Sequence, residues 1–117
     1  MPSILIVDDH PSFRSTARVL LQAEGFEVVG EAEDGDSAVK RAEELRPDVV
    51  LLDVQLPDFD GFEVAARLRS LNGATPAIVL TSSRDGSDFG PLVAESGARG
   101  FVPKAELSGS ALSALLG

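Results

Sequence analysis

The sequence contains no cysteine, which excludes a disulfide framework and any thiolate metal site and suits the cytosol. It has a single histidine, His10, with no nearby nucleophile to activate, so His10 reads as a helix-start residue rather than a general base. Basic residues are scarce: ten lysines and arginines stand against nineteen acids, for a net charge of -9. That balance argues against a nucleic-acid or anionic-membrane surface and is compatible with cation binding. Nothing approaches the ~20 apolar residues of a membrane span. Met1 to Val7 has neither a basic leader nor a long apolar stretch, so no signal peptide is expected and the cytoplasm is the expected location. Repeats and Pro/Ser-rich linkers are also missing, and 117 residues suit one domain, 1–117.

What is present is a regular alternation. Apolar residues make up 44% of the chain and cluster in short continuous runs, as strands covered on both faces require. Strands are expected at Ser3 to Val7, Phe26 to Ala32, Val49 to Leu52, Pro76 to Leu80 and Arg99 to Val102. Helices are expected from His10-Pro11 to Gly25, Asp34 to Arg46, Phe62 to Leu71 and Ser108 to Leu116. Asp60 is a plausible cap and Gly73 a terminator for the third of the five helices. The fourth is expected to start late, around Pro91, or to be mobile, because Gly86, Gly90 and Pro91 fall inside it. The pattern predicts an α/β fold: a five-stranded parallel, doubly wound sheet in the order 2-1-3-4-5, with helices on both faces.

In that topology the residues after the strands meet at one edge. Asp8 and Asp9 follow strand 1, Asp53 strand 3, Thr81 strand 4 and Lys104 strand 5. Three carboxylates so gathered repel one another unless a hard cation binds them, and oxygen ligands suit Mg²⁺ or Mn²⁺. A carboxylate can also be a nucleophile toward phosphorus. Asp53 would then take the phosphoryl group, with a metal, Lys104 and Thr81 each meeting one of its oxygens.

With Val7-Asp8-Asp9-His10-Pro11, Leu52-Asp53, Leu56-Pro57, Asp60-Gly61, Leu80-Thr81-Ser82, Gly97-Ala98 and Phe101-Val102-Pro103-Lys104 in order, the chain resembles the receiver domain of bacterial two-component response regulators. The resemblance implies that Asp53 accepts a phosphoryl group from a histidine kinase or phosphotransfer protein. It implies Asp9 as direct metal ligand, Asp8 as its helper, and a backbone carbonyl of Gln55 as a further ligand. Thr81 and Phe101 align with the hydroxyl and aromatic positions that move together on activation. Gln55 and Ser83 flank the site and would influence hydrolysis. The stretch "VDDHPSFR" resembles receivers that precede helix-turn-helix domains; none follows here, so the expected output is a changed set of protein contacts, including a phosphorylation-dependent dimer. Ala105 stands where many receivers have proline.

Other readings compete. Asp8 and Asp9 alone would serve as helix-capping acids, Lys104 alone as a solvated lysine, and Arg14 and Arg18 as a solvated face or a kinase contact. Asp58 and Asp60 read as turn and cap residues. An aspartyl-phosphate phosphatase would want an acid two residues after its nucleophile, where Gln55 or His10 stands. A mononucleotide site would want glycine after strand 1, and Asp8 to Arg14 has none. There remain an N-terminal receiver fragment of a DNA-binding regulator and a receiver-like interaction module that makes no use of phosphate.

Overall fold

Successive side chains of a strand point to opposite faces, so a strand that is apolar throughout needs cover on both. The computed structural model, which describes residues 2–71, 75–83 and 90–116, provides that cover. Its strands are β1 (Ser3–Val7), β2 (Glu27–Ala32), β3 (Val49–Asp53), β4 (Ala77–Ser82) and β5 (Gly100–Pro103). Its helices are α1 (Pro11–Ala23), α2 (Gly35–Leu45), α3 (Gly61–Arg69), α4 (Gly90–Ser96) and α5 (Gly109–Leu116). The strands pair in parallel in the order β2-β1-β3-β4-β5, as predicted.

Alternation splits the core in two. Leu5, Val7, Val50, Leu52, Ile78 and Leu80 point to one side, where Ala38 and Ala42 of α2 and Val64, Ala65 and Leu68 of α3 cover them. Ile4, Ile6, Val49, Leu51 and Val79 point to the other, against Ala17 and Leu21 of α1 and Leu112 of α5. A shift of one residue in any strand would reverse its faces. The inner strands therefore hold their register, and with it the level at which each strand ends.

The boundaries move slightly from the expected ones. Asp34 and Arg46 lie outside α2 as its caps: the Asp34 carboxylate accepts the Ser37 N–H at 2.8 Å, and Arg46 takes a left-handed φ of 46° before Pro47. Asp60 caps α3 by accepting the Glu63 N–H at 2.8 Å, and Ser108 caps α5 through Ala111 N–H at 3.0 Å. β3 runs one residue further than predicted because Asp53 still pairs with Thr81 of β4. Gly73 and Gly86 fall outside the described residues.

One close approach fixes the end of β3. A Cβ on Gly61 would come within 2.5 Å of the Asp53 carbonyl oxygen and 2.7 Å of Val54 Cα, both backbone atoms. The Gly61 N–H donates to Val54 O at 2.6 Å, so the first turn of α3 is clamped against the segment that carries Asp53. Gly61→Ala is expected to destabilise the fold by ~1–3 kcal/mol, seen as a lower denaturation midpoint at unchanged slope. An unaltered midpoint would show that this backbone yields freely.

Candidate functional site

Parallel strands in register end at one level, and the polar residues that follow them share that level. Asp8 leaves β1 with its N–H on Ala32 O at 3.0 Å, and Asp53 ends β3 beside Thr81. After β5, Pro103 opens a short 3-10 turn, Lys104–Glu106, that turns Lys104 back over the edge. Lys104 therefore reaches the carboxylates with Ala105 behind it. Asp8 and Thr81 are fully buried and Asp53 is 3% exposed, an unusual setting for two acids in an acidic chain.

Lys104 answers much of that charge. Its Nζ lies 2.6 Å from Asp8 Oδ2 and 3.1 Å from Asp53 Oδ2. It also sits 4.5 Å from the centroid of the Phe13 ring, a cation–π contact from α1. The Oδ1 atoms face other donors. Asp53 Oδ1 accepts the Gln55 N–H at 2.9 Å, and Asp8 Oδ1 accepts the His10 N–H at 2.8 Å. His10 Nδ1 lies 3.1 Å from Asp8 Oδ1 and 3.0 Å from Asp9 Oδ1. Asp8 Oδ2 has the ion pair with Lys104 but no hydrogen bond of good geometry.

The ionisation of the two buried acids diverges. Burial pushes both carboxyls up. At Asp8 the Lys104 ammonium and the His10 N–H outweigh burial and hold it below the usual aspartate range. At Asp53 burial prevails over the Gln55 N–H and Lys104, the Asp8 charge adds to it, and the carboxyl is pushed up to about 6. Lys104 is raised: burial works against its charge, and the two carboxylates more than offset it.

The predicted residues divide by what they touch. Asp8, Asp9, Asp53 and Lys104 come together. Gln55 meets Asp53 through its N–H, a contact distinct from the carbonyl expected to face a metal. Thr81 lies beside Asp53 in the sheet, but its hydroxyl donates to Val102 O of β5 at 2.6 Å rather than into the site. Phe101 is half-buried against the α2–α3 side of the core. Lys104, 15% exposed, is not a solvated lysine.

Other readings need correction. Arg14 and Arg18 are not a free solvated face: Arg14 Nε and Arg18 Nε grip the two oxygens of Glu31 at 3.0 and 2.8 Å. Arg14 Nη1 also donates to the Asp8 carbonyl at 2.6 Å, which steadies the end of β1. Asp58 does more than turn the chain, since it accepts N–H groups of Gly35 at 2.7 Å, Asp36 at 3.0 Å and Phe59 at 2.9 Å and so ties the β3–α3 loop to α2. His10 is a helix-start residue as read, and its ring also enters the acidic cluster. Its place directly after Asp8-Asp9 was the available signal.

Residues 4–115 match the response regulator receiver domain family. The chain belongs to that family. It is 47% identical over 103 residues to BvgA of Bordetella pertussis, covering 88% of this chain and 49% of BvgA. It is 35% identical over 111 residues to the DNA-binding transcriptional activator EvgA of Escherichia coli, covering 95% of this chain and 54% of that protein. The receiver thus spans about half the length of these relatives. Among solved structures it superimposes on the signal receiver domain of NarL from Mycobacterium tuberculosis with a TM-score of 0.86, at 34% identity and with 99% and 97% of the two chains covered. A LuxR-family response regulator from Aurantimonas gives a TM-score of 0.84 at 33% identity, with 99% and 86% covered. As a receiver domain the chain is a signalling module. Among the described residues no helix is long and apolar enough to cross a membrane.

The receiver's acidic cluster has the chemistry of a cation site. Ligand atoms of Asp8, Asp9, His10 and Asp53 lie within 4.8 Å of one another, and a single ammonium, Lys104, meets both buried carboxylates. Oxygen-rich donors with two buried carboxylates suit a hard divalent ion.

The raised Asp53 carboxyl has a sign that stability measurements can read. Between the ordinary aspartate value and about pH 6 the folded chain holds this proton more tightly than the unfolded one, so rising pH removes stability there. Asp8 acts oppositely but below that window: its stabilisation is present above the ordinary value and lost as pH falls further. In metal-free buffer, Asp53→Asn is expected to gain on wild type by on the order of 3 kcal/mol from about pH 4 to about pH 7. Equal pH slopes for the two proteins in denaturant titrations would contradict the raised carboxyl.

Proposed function

We propose that this receiver is a phosphorylation switch in which Asp53 accepts a phosphoryl group from a histidine kinase or phosphotransfer protein. The observation that carries the reading is Lys104 bridging two buried carboxylates at the edge of the sheet, beside a hydroxyl paired in register with one of them. An Asp53 oxygen attacks phosphorus, the bond from phosphorus to the donor's imidazole nitrogen breaks, and the leaving imidazole takes up a proton. With its carboxyl at about 6, Asp53 is largely ionised and nucleophilic at neutral pH.

Asp8, Asp9, Asp53 and the Gln55 carbonyl would hold Mg²⁺ or Mn²⁺, which when bound supplies positive charge to the phosphoryl oxygens. The chain's own residues do the rest. Lys104, already 3.1 Å from Asp53, neutralises a second oxygen. Thr81 gives up its bond to Val102 O and donates to the third, and Phe101 follows into the space it leaves. β5 is thereby coupled to the site, and contacts with an output protein, or between two copies, change.

We further infer that residues 1–117 act as one receiver unit in the cytoplasm, with no direct nucleic-acid contact of their own. The half-length match to EvgA favours a receiver that belongs to a DNA-binding transcriptional regulator.

Incubation with a small acyl phosphate and Mg²⁺ is expected to add one phosphoryl mass to wild type and none to Asp53→Asn. Thr81→Ala should still be labelled, while the Phe101 amide no longer shifts. Labelled Asp53→Asn, or wild type that takes no label, would sink the proposal.

A further inference from the structure

His10 is the member of the cluster to which the phosphoryl reading gives no task. We propose that His10 is a metal ligand through Nδ1, so that this site favours first-row transition ions that accept imidazole over Mg²⁺. The inference rests on the cation reading of Asp8, Asp9 and Asp53 and adds a nitrogen to it.

Geometry supports the assignment. Donor atoms that are neighbours around an ion at ~2.1 Å in an octahedron stand about 3.0 Å apart. His10 Nδ1 is 3.1 Å from Asp8 Oδ1 and 3.0 Å from Asp9 Oδ1, so the nitrogen already stands at the spacing of a neighbouring ligand from each of the two oxygens. A hydrogen-bonded imidazole has the same spacing, and loss of Co²⁺ affinity on removing the ring separates the two. The surrounding bonds aim the oxygens correctly. Lys104 holds the Oδ2 atoms of Asp8 and Asp53, which leaves Asp8 Oδ1 toward His10. The His10 N–H on Asp8 Oδ1 at 2.8 Å ties the ring's backbone to the carboxylate it would share. The His10 side chain is 65% exposed, so an ion can approach without unfolding α1.

The chemistry gives the ion class. Mg²⁺ prefers oxygen donors and retains water, whereas imidazole suits cobalt, nickel and zinc. With one histidine and no cysteine in the sequence, an imidazole signal from bound metal has one source, and a thiolate signal none.

The test is calorimetric titration of wild type and His10→Ala with Co²⁺ and with Mg²⁺, beside nitrogen NMR of the imidazole during Zn²⁺ addition. His10→Ala keeps the backbone N–H, and a thermal melt checks its folding. The expected result is a loss of about tenfold or more in Co²⁺ affinity against less than twofold for Mg²⁺, with a Zn²⁺-dependent shift at His10 Nδ1. If Mg²⁺ binds wild type but His10→Ala leaves the Co²⁺ to Mg²⁺ ratio unchanged, the His10 assignment is overturned while the carboxylate site stands. If wild type binds neither ion, the cation reading fails and the His10 assignment with it.

Discussion

Two buried carboxylates sharing one ammonium are the constraint around which this receiver is arranged. Taking Asp8, Asp53 and Lys104 out of water costs several kcal/mol per ion before their attraction returns any of it. Such an arrangement is weak evidence for stability, and an apolar trio of the same volume would cost less to bury. The surrounding structure holds the three charges close enough to compensate one another. Gly61 lets α3 close on the Asp53 backbone, Arg14 steadies the Asp8 carbonyl, and Pro103 turns Lys104 back over the strands. Even so, two carboxylates against one ammonium leave a buried excess of negative charge, with the exposed Asp9 carboxylate close by.

The oxygens divide that excess. The Oδ2 atoms of Asp8 and Asp53 face Lys104, Asp8 Oδ1 faces the loop that enters α1, and Asp53 Oδ1 faces the Gln55 N–H in the loop after β3. The lysine side keeps the acids together without any ligand, and the other side, beside the exposed Asp9 and His10, is where a cation would complete the neutralisation. Thr81 belongs to neither side in this structure. Its bond to Val102 O is neutral and worth a net ~0.5–1.5 kcal/mol, while a bond to a charged phosphoryl oxygen is worth ~1.5–3 kcal/mol. A difference of ~1–2 kcal/mol moves an equilibrium by roughly tenfold. On these magnitudes the hydroxyl alone biases the β5 state and does not lock it, so further contacts, such as those of Phe101, would have to add to its pull.

Much of this was legible in the sequence because it depends on strand ends. Continuous apolar runs marked all five strands to within about a residue or two, and the 2-1-3-4-5 order then brought Asp8, Asp53 and Lys104 to one edge. What escaped depends on partners far along the chain or on rotamers. Asp58 looks like any turn acid until α2 offers its first N–H groups from 23 residues away. Arg14 and Arg18 share a helical face whether or not Glu31 of β2 lies between them. The direction of the Thr81 hydroxyl is a torsional choice that periodicity does not encode.

The engagement of Arg14 and Arg18 bears on how a phosphodonor would approach under the proposed switch. A chain of net charge -9 repels phosphate, and much of its positive charge is already committed: Arg14 and Arg18 to Glu31, Lys40 to Asp36, Arg67 to Glu63. At physiological salt this repulsion is screened beyond about 8 Å, so it acts mainly in the last approach to Asp53. There the nearby acids, Asp8 and Asp9, outnumber Lys104. A phosphoryl group can be stabilised at that edge only if positive charge arrives first or with it. On the proposed reading, cation binding would therefore be the electrostatic precondition for transfer rather than an accessory to it, and the cation preferred beside Asp9 and His10 would set the conditions for switching.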